Sequence, residues 1–296
     1  MGGVNVNLAP ADHPLYGQAT TMVIGADVSH ASPGNPTGSY ASMVGSTNLQ
    51  GTRFAAIANT NGTRSECISG KNIFNFVVTL LRSFNACTGK KPMRIIYFRD
   101  GVSEGEYEKI ISTELEGVKQ ACASMSDGYN PKFTVVICSK RHHFRFFPAD
   151  RNASDRNGNP LPGTIVEKDI THPTQFDFYL NSHNAIQGTA RPVHYHVIWD
   201  ENKFPPDAIQ GLIYNTCYTY VRATCSVSLV PATYYAHIAS SRARCHEEGS
   251  ADDRSSEMTP PSNDPEAKAR YEAKKAGKIP DLRTLHTDLR FKMWYV

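Results

Sequence analysis

The feature that most constrains the fold is a change of hydrophobic period near residue 70. Before it, three short runs of β-forming residues, TMVIGAD (21–27), YASMVGST (40–47) and RFAAIAN (53–59), are separated by Gly-, Pro- and Asn-rich turns. Connections that short join antiparallel neighbours and leave no room for a parallel crossover. After it, Ile73, Phe76, Val77, Leu80, Leu81 and Phe84 fall on one face of a helix. A strand at 93–99 follows, then a helix with Tyr107, Ile110, Ile111, Leu115 and Val118 on one face, then the strand KFTVVIC at 132–138. A meander continued by alternating strands and helices predicts an α/β fold, a mixed sheet flanked by helices. Strands near 175–181 and 194–200 and helices near 207–221 and 234–246 extend it. With no internal repeat and no linker before residue 247, the 296 residues read as one domain.

Composition excludes several classes. At 40% hydrophobic and 20% charged residues the chain is ordinary globular material, and its longest apolar runs, such as FTVVIC, fall far short of the roughly 20 residues that span a bilayer. The opening MGGVNVNLAP lacks the basic and apolar regions of a secretory signal, and Val6 stands where a myristoylation motif wants Ser or Thr. Seven cysteines without C-x-x-C spacing predict reduced, buried thiols in an intracellular, cytoplasmic protein, with a nuclear fraction also allowed. The sequons at Asn61 and Asn152 are then accidental. Net charge is only +3, but residues 247–266 carry −6, which leaves +9 on the remainder. That acidic, Ser- and Pro-rich stretch, extending to about 270, reads as a flexible loop. The more basic body suits a polyanionic partner.

Charged residues at strand ends supply the chemistry. IIYFRDG ends an apolar run in Arg99-Asp100-Gly101. Asp-Gly makes turns, yet open α/β sheets also place ligand-handling groups at the carboxyl ends of strands. Asp27 lies on the first strand in VIGADVSH, Glu66 just before the first long helix, and His237 in the late helix YYAHIASSRAR. Converging carboxylates can hold two divalent cations against a phosphodiester, as in ribonuclease H-like nucleases. Each residue also has a plainer reading. Asp27 could bond a strand end, Glu66 could favour a helix start, and His237 could be a core histidine. Spacing leaves both readings open.

The motifs GADVSH, RIIYFRDGVSEGEY, KRHHFRFFP, ITHPTQFDFYLNSHNAIQGTARPVHYHVIWDEN and PATYYAHIASSRARCH together resemble the PIWI domain of eukaryotic Argonaute proteins, in the fungal quelling-type branch. The likeness runs from about residue 2 to the last residue. It implies a ribonuclease H-like fold and a catalytic tetrad in which Asp27, Glu66, Asp100 and His237 match the four positions, Glu66 being inserted from a mobile loop. Asp27, Asp100 and His237 would be metal ligands, with Mg2+ as cofactor and Mn2+ as a substitute. The implied reaction is two-metal hydrolysis of a target RNA paired to a small guide, and base pairing supplies the sequence choice.

Further residues match the family's backbone grip. Lys140, Arg141, His142, His143, Arg145, Gln187, Thr189 and Arg191 would lie along the guide; Tyr220, Arg222, Ser228 and Tyr234 would contact its phosphates; Arg242 would complete the 5′-phosphate pocket. A solvated basic face is the plain alternative for each cation. Cys225 stands where some relatives carry another base, so the grip there would be weaker. The implied partners are a 5′-phosphorylated guide RNA, a complementary target RNA, a MID domain upstream in the same protein, and silencing partners bearing tryptophan motifs. MID, PAZ and N-terminal domains have no counterpart here, so the chain reads as an excised domain that would cut weakly by itself.

Other patterns carry less. HYH at 194–196 puts two imidazoles on one strand face without further zinc ligands at useful spacing, and SGKN and TGKK lack the earlier glycine of a phosphate loop. A guide-holding platform that recruits partners without cutting, and a guide-independent nuclease, are the competing functions.

Overall fold

The computed structural model describes residues 6–10, 19–30, 38–62, 65–246, 265, 281–283 and 285–296. The acidic segment expected at 247–270 therefore lies, apart from residue 265, outside the described residues. Strands β1 (Thr21–Ser29), β2 (Tyr40–Ser46) and β3 (Phe54–Thr60) form the antiparallel meander that short turns require. β4 (Arg94–Asp100) joins the other edge of β1 in parallel, and β5 (Lys132–Ser139) continues in parallel beside it. β8 (Val193–Asp200), β7 (Phe176–Asn181) and β6 (Thr164–Val166) then pair antiparallel, giving the order β3-β2-β1-β4-β5-β8-β7-β6. This is the ribonuclease H-like mixed sheet. β6, three residues long, is too short to show a period in the sequence.

The two faces of the sheet follow from strand alternation. Met22, Ile24, Ala26, Ile95 and Tyr97 pack under α1 (Gly70–Thr88) and α2 (Glu116–Met125). Val23, Ile96, Phe98, Val136 and Cys138 face α3 (Pro206–Thr216) and α4 (Pro231–Ala243). α1 outruns its apolar stretch at both ends because caps, not apolar residues, set them. Ser69 accepts from the Asn72 N–H at the start, and Gly89 (φ 68°) takes the left-handed cap at the end. Before α2 the chain passes through a 3-10 turn (Glu104–Glu106), one α turn (Tyr107–Lys109) and a π segment (Ile110–Leu115).

One glycine sets the distance between sheet and helix. A Cβ on Gly25 would lie 2.2 Å from the Ala232 carbonyl oxygen, so only glycine lets the first turn of α4 rest against β1. That contact places α4, and with it His237, over the carboxyl end of β1.

All seven cysteines are free, as their spacing predicts, but Cys87, Cys225 and Cys245 are exposed. Their expected burial is corrected: Cys87 lies near the end of α1, and the other two lie in irregular or 3-10 backbone outside the core. Among the described residues no helix is long and apolar enough to cross a membrane.

Candidate active site

Parallel pairing aligns Ala26 with Arg99, so Asp27 and Asp100 stand side by side at the carboxyl ends of β1 and β4. Alternation turns both toward α4. There His237 Nδ1 stands 3.2 Å, and the Ser240 hydroxyl 2.9 Å, from one Asp27 oxygen, Oδ2. Ser240 sits one turn after His237 and donates to Asp27, a partnership the motif search missed although i+3 spacing puts both residues on one helix face.

Charge in this corner is unbalanced. Burial works against an ionised Asp27, yet the hydrogen bond from His237, the Arg99 charge and Ser240 together hold its carboxyl below the usual range. At Asp100 the charges of His237 and Arg99 and the Gly101 N–H act in the same lowering sense but are outweighed. Burial and the adjacent Asp27 charge push Asp100 up to about 6. His237 is raised by its hydrogen bond to Asp27 against the opposing effect of burial. Two acids with separated proton affinities thus stand beside an imidazole at the ends of adjacent strands.

Glu66 pairs with a loop histidine. The Glu66 carboxylate is 43% exposed and lies 2.9 Å from His30 Nε2, while its backbone carbonyl accepts from the Arg99 guanidinium. Among the described residues no hydrogen bond or ion pair joins its carboxylate to Asp27 or Asp100. Thr63 and Arg64, just before it, lie outside the described residues.

Arg99 and Glu114 form a second layer that sequence reading missed. Arg99 is 1% exposed and faces away from Asp100, against the fully buried Glu114 at 3.1 Å. Nothing in the sequence marks Glu114, since an acid inside a helix normally faces water.

Lys140, Arg141 and Arg191 act electrostatically on this corner or on one another. Lys140 Nζ reaches Ser228 Oγ at 2.5 Å; burial lowers its affinity for a proton, and Asp100 and Arg191 act on it in opposite senses. His183, absent from the sequence-derived set, is pushed down to about 4 by burial and the Lys140 charge. Arg141, His143, Gln187, Thr189, Arg191, Arg222 and Arg242 are exposed. His142 instead bonds the Pro192 carbonyl, and Arg145 donates to the carbonyls of His142 and Phe144. Tyr220 is buried between Tyr234 and Tyr235. Of the HYH pair, His194 bonds Asp177 at 2.6 Å and His196 is 4% exposed.

Comparison with known proteins shows the family. Residues 1–248 match the family model described as Piwi domain. The argonaute of Schizosaccharomyces pombe is 46% identical over 296 residues, covering 100% of this chain and 34% of that protein. The chain belongs to the Argonaute family, within its Piwi domain. Rice argonaute 1C is 44% identical over 280 residues, covering 88% of this chain and 28% of its own length. Among solved structures, the C-terminal lobe of a budding yeast Argonaute superposes with a TM-score of 0.82 at 26% identity, covering 98% of this chain and 57% of that one. Kluyveromyces polysporus Argonaute with a guide RNA gives 0.81 at 27% identity, covering 99% and 33%. This Piwi chain thus spans about a third of the curated relatives it matches.

The residues at the two strand ends fit a hard divalent cation, which takes oxygen ligands and gains from two adjacent carboxyl groups. Asp27 and Asp100 supply the carboxylates. Among the described residues no three His, Cys, Asp or Glu side chains are grouped so as to hold a metal ion, so further ligands would come from phosphate and water.

Proposed function

We propose that this chain is the cleaving domain of a small-RNA-guided endoribonuclease, which cuts a target RNA paired to a guide in RNA silencing. The observation that carries the reading is the juxtaposition of Asp27 and Asp100 under His237, with Asp100 raised to about 6. A structural carboxylate is usually paired, whereas Asp100 is held beside a second acid, an arrangement that favours the arrival of positive charge.

Asp27 and Asp100 would hold Mg2+, for which Mn2+ would substitute, with phosphate and water completing the shell; His237, the third ligand that the resemblance implies, bonds Asp27 and is not grouped with the two acids for metal binding among the described residues. When bound, these ions would activate a water and stabilise the charge developing on the phosphodiester oxygens. The chain's own residues do the remaining work. Ser240 and His237 fix the orientation of Asp27 by bonding the same oxygen, leaving its other oxygen for a ligand. Arg141, Arg191 and Arg222, all exposed, would neutralise backbone phosphates, a contribution that carries no sequence preference. Lys140, held by Ser228, would approach the strand nearest the carboxylates. Glu66 would complete the site by exchanging its His30 contact for the metal site.

The partners that fit this reading are a guide RNA with a 5′-phosphate, a complementary target RNA and a MID domain upstream. Silencing partners with tryptophan motifs are a further partner class. The full-length protein, loaded with a 5′-phosphorylated guide and Mg2+, is expected to make a single cut in a labelled complementary RNA, and Asp100→Ala is expected to abolish it. Binding of guide and target without a cut would favour a recruiting platform. Cutting without a guide would favour a guide-independent nuclease.

A further inference from the structure

We propose that Glu114 is a positioning residue of the site, acting through Arg99 to set where the Glu66 loop stands relative to Asp100. The inference rests on the cleavage reading above. Glu114 is fully buried and receives four hydrogen bonds. The Ile68 backbone N–H donates to Oε1 at 2.8 Å and the Tyr97 hydroxyl to Oε2 at 2.6 Å, while Arg99 Nε lies 3.1 and 3.3 Å from the two oxygens. The two terminal nitrogens of Arg99 donate to the backbone carbonyls of Asp100 and Glu66. One guanidinium therefore ties the end of β4 to the loop that carries Glu66, and one carboxylate holds that guanidinium and the same loop two residues later.

Local structure is arranged to reach this point. Glu114 lies in the π segment, Ile110–Leu115, whose wider turn lets Ile110, Glu114 and Leu115 all face inward. Stability alone gives little reason for the pair, because well-packed apolar replacements of a buried ion pair are often neutral or stabilising. Geometry gives a reason. The planar fork of Arg99 can hold three acceptors in fixed directions, and a carboxylate is the partner that keeps the fork from rotating.

The test is single-turnover cleavage by the full-length protein, read beside guide affinity, target affinity and thermal unfolding. In Glu114→Gln a single acceptor oxygen faces three donors and the new NH2 opposes one of them, so the loop should shift. Cleavage is expected to fall by about 10- to 100-fold with guide and target affinity unchanged. The double variant Arg99→Met, Glu114→Gln removes the unpaired buried charge. It should regain thermal stability without regaining the rate. An unchanged rate in the single variant, or recovery of rate together with stability in the double, would overturn the proposal. Amide exchange at Ile68 separates this from failure of the cleavage reading. If the wild-type protein binds guide and target but does not cut, faster exchange at Ile68 in Glu114→Gln would still support the positioning role, and unchanged exchange would reject it.

Discussion

Arg99 and Asp100 are neighbours in sequence and face opposite sides of the sheet. Asp100 turns toward Asp27 and α4, while Arg99 turns toward Glu114 and the Glu66 loop. A charged pair that looks like the start of a turn thus serves two layers, one bearing the carboxylates and one holding the backbone that carries them.

The Asp27–His237 contact predicts a titration. Because the hydrogen bond to Asp27 raises His237, its imidazole should titrate above the ordinary value of about 6.5 in metal-free protein. In Asp27→Asn burial remains without the partner, so the midpoint should fall. Two-dimensional NMR of the ring protons reads both values, and an unshifted midpoint in the variant would disprove the coupling. The contribution to stability is fully present below about 6.5 and fades as pH rises through the folded value.

Asp100 predicts a pH-dependent cost to the fold. Its carboxyl is raised from 3.8 to about 6, so the folded state binds more protons than the unfolded chain between those values. Stability therefore falls as pH rises through that window, and the penalty is complete above it. Asp100→Asn should gain about 2 to 3 kcal/mol at pH 8 in chelator, from 1.36 kcal/mol per unit, and nothing below pH 4. Urea unfolding at the two pH values measures this. An equal gain at both would point to packing instead of charge.

The close approach of α4 predicts opposite signs for two glycine substitutions. Gly25→Ala drives a Cβ into the Ala232 carbonyl and should cost about 3 kcal/mol or more while displacing His237. Gly211→Ala, inside α3 with open space around its Cβ position, should stabilise by about 0.5 to 1 kcal/mol. Denaturant midpoints compare them directly.

Much of the fold was legible because period and turn length are local. The meander, α1, β4 and β5 emerge from runs that need no knowledge of the rest of the chain, and parallel pairing of β1 with β4 brings Asp27 and Asp100 together without further assumption. What escaped reading depends on distant partners. Glu114 is buried only because Arg99 meets it across a π segment. Ser240 matters only because α4 lies over β1, and β6 exists only where β7 offers an edge. α4 begins at Pro231, earlier than its apolar pattern suggests, because proline suits a first helical turn. Glu66 matches its motif, yet its carboxylate lies beside His30, a pairing between two loops that periodicity does not reveal.

On the proposed reading, divalent ions held at the ends of β1 and β4 would cut the guided target. The most direct measurement is the single-turnover rate on a target carrying sulfur in place of a nonbridging oxygen at the scissile phosphate, in Mg2+ and in Mn2+, with the full-length guide-loaded protein. The softer ion tolerates sulfur better, so the rate should drop sharply in Mg2+ and recover in Mn2+, while the unmodified target is cut in both. An equal loss in both ions, or a cut that survives Asp27→Ala and Asp100→Ala, would contradict it.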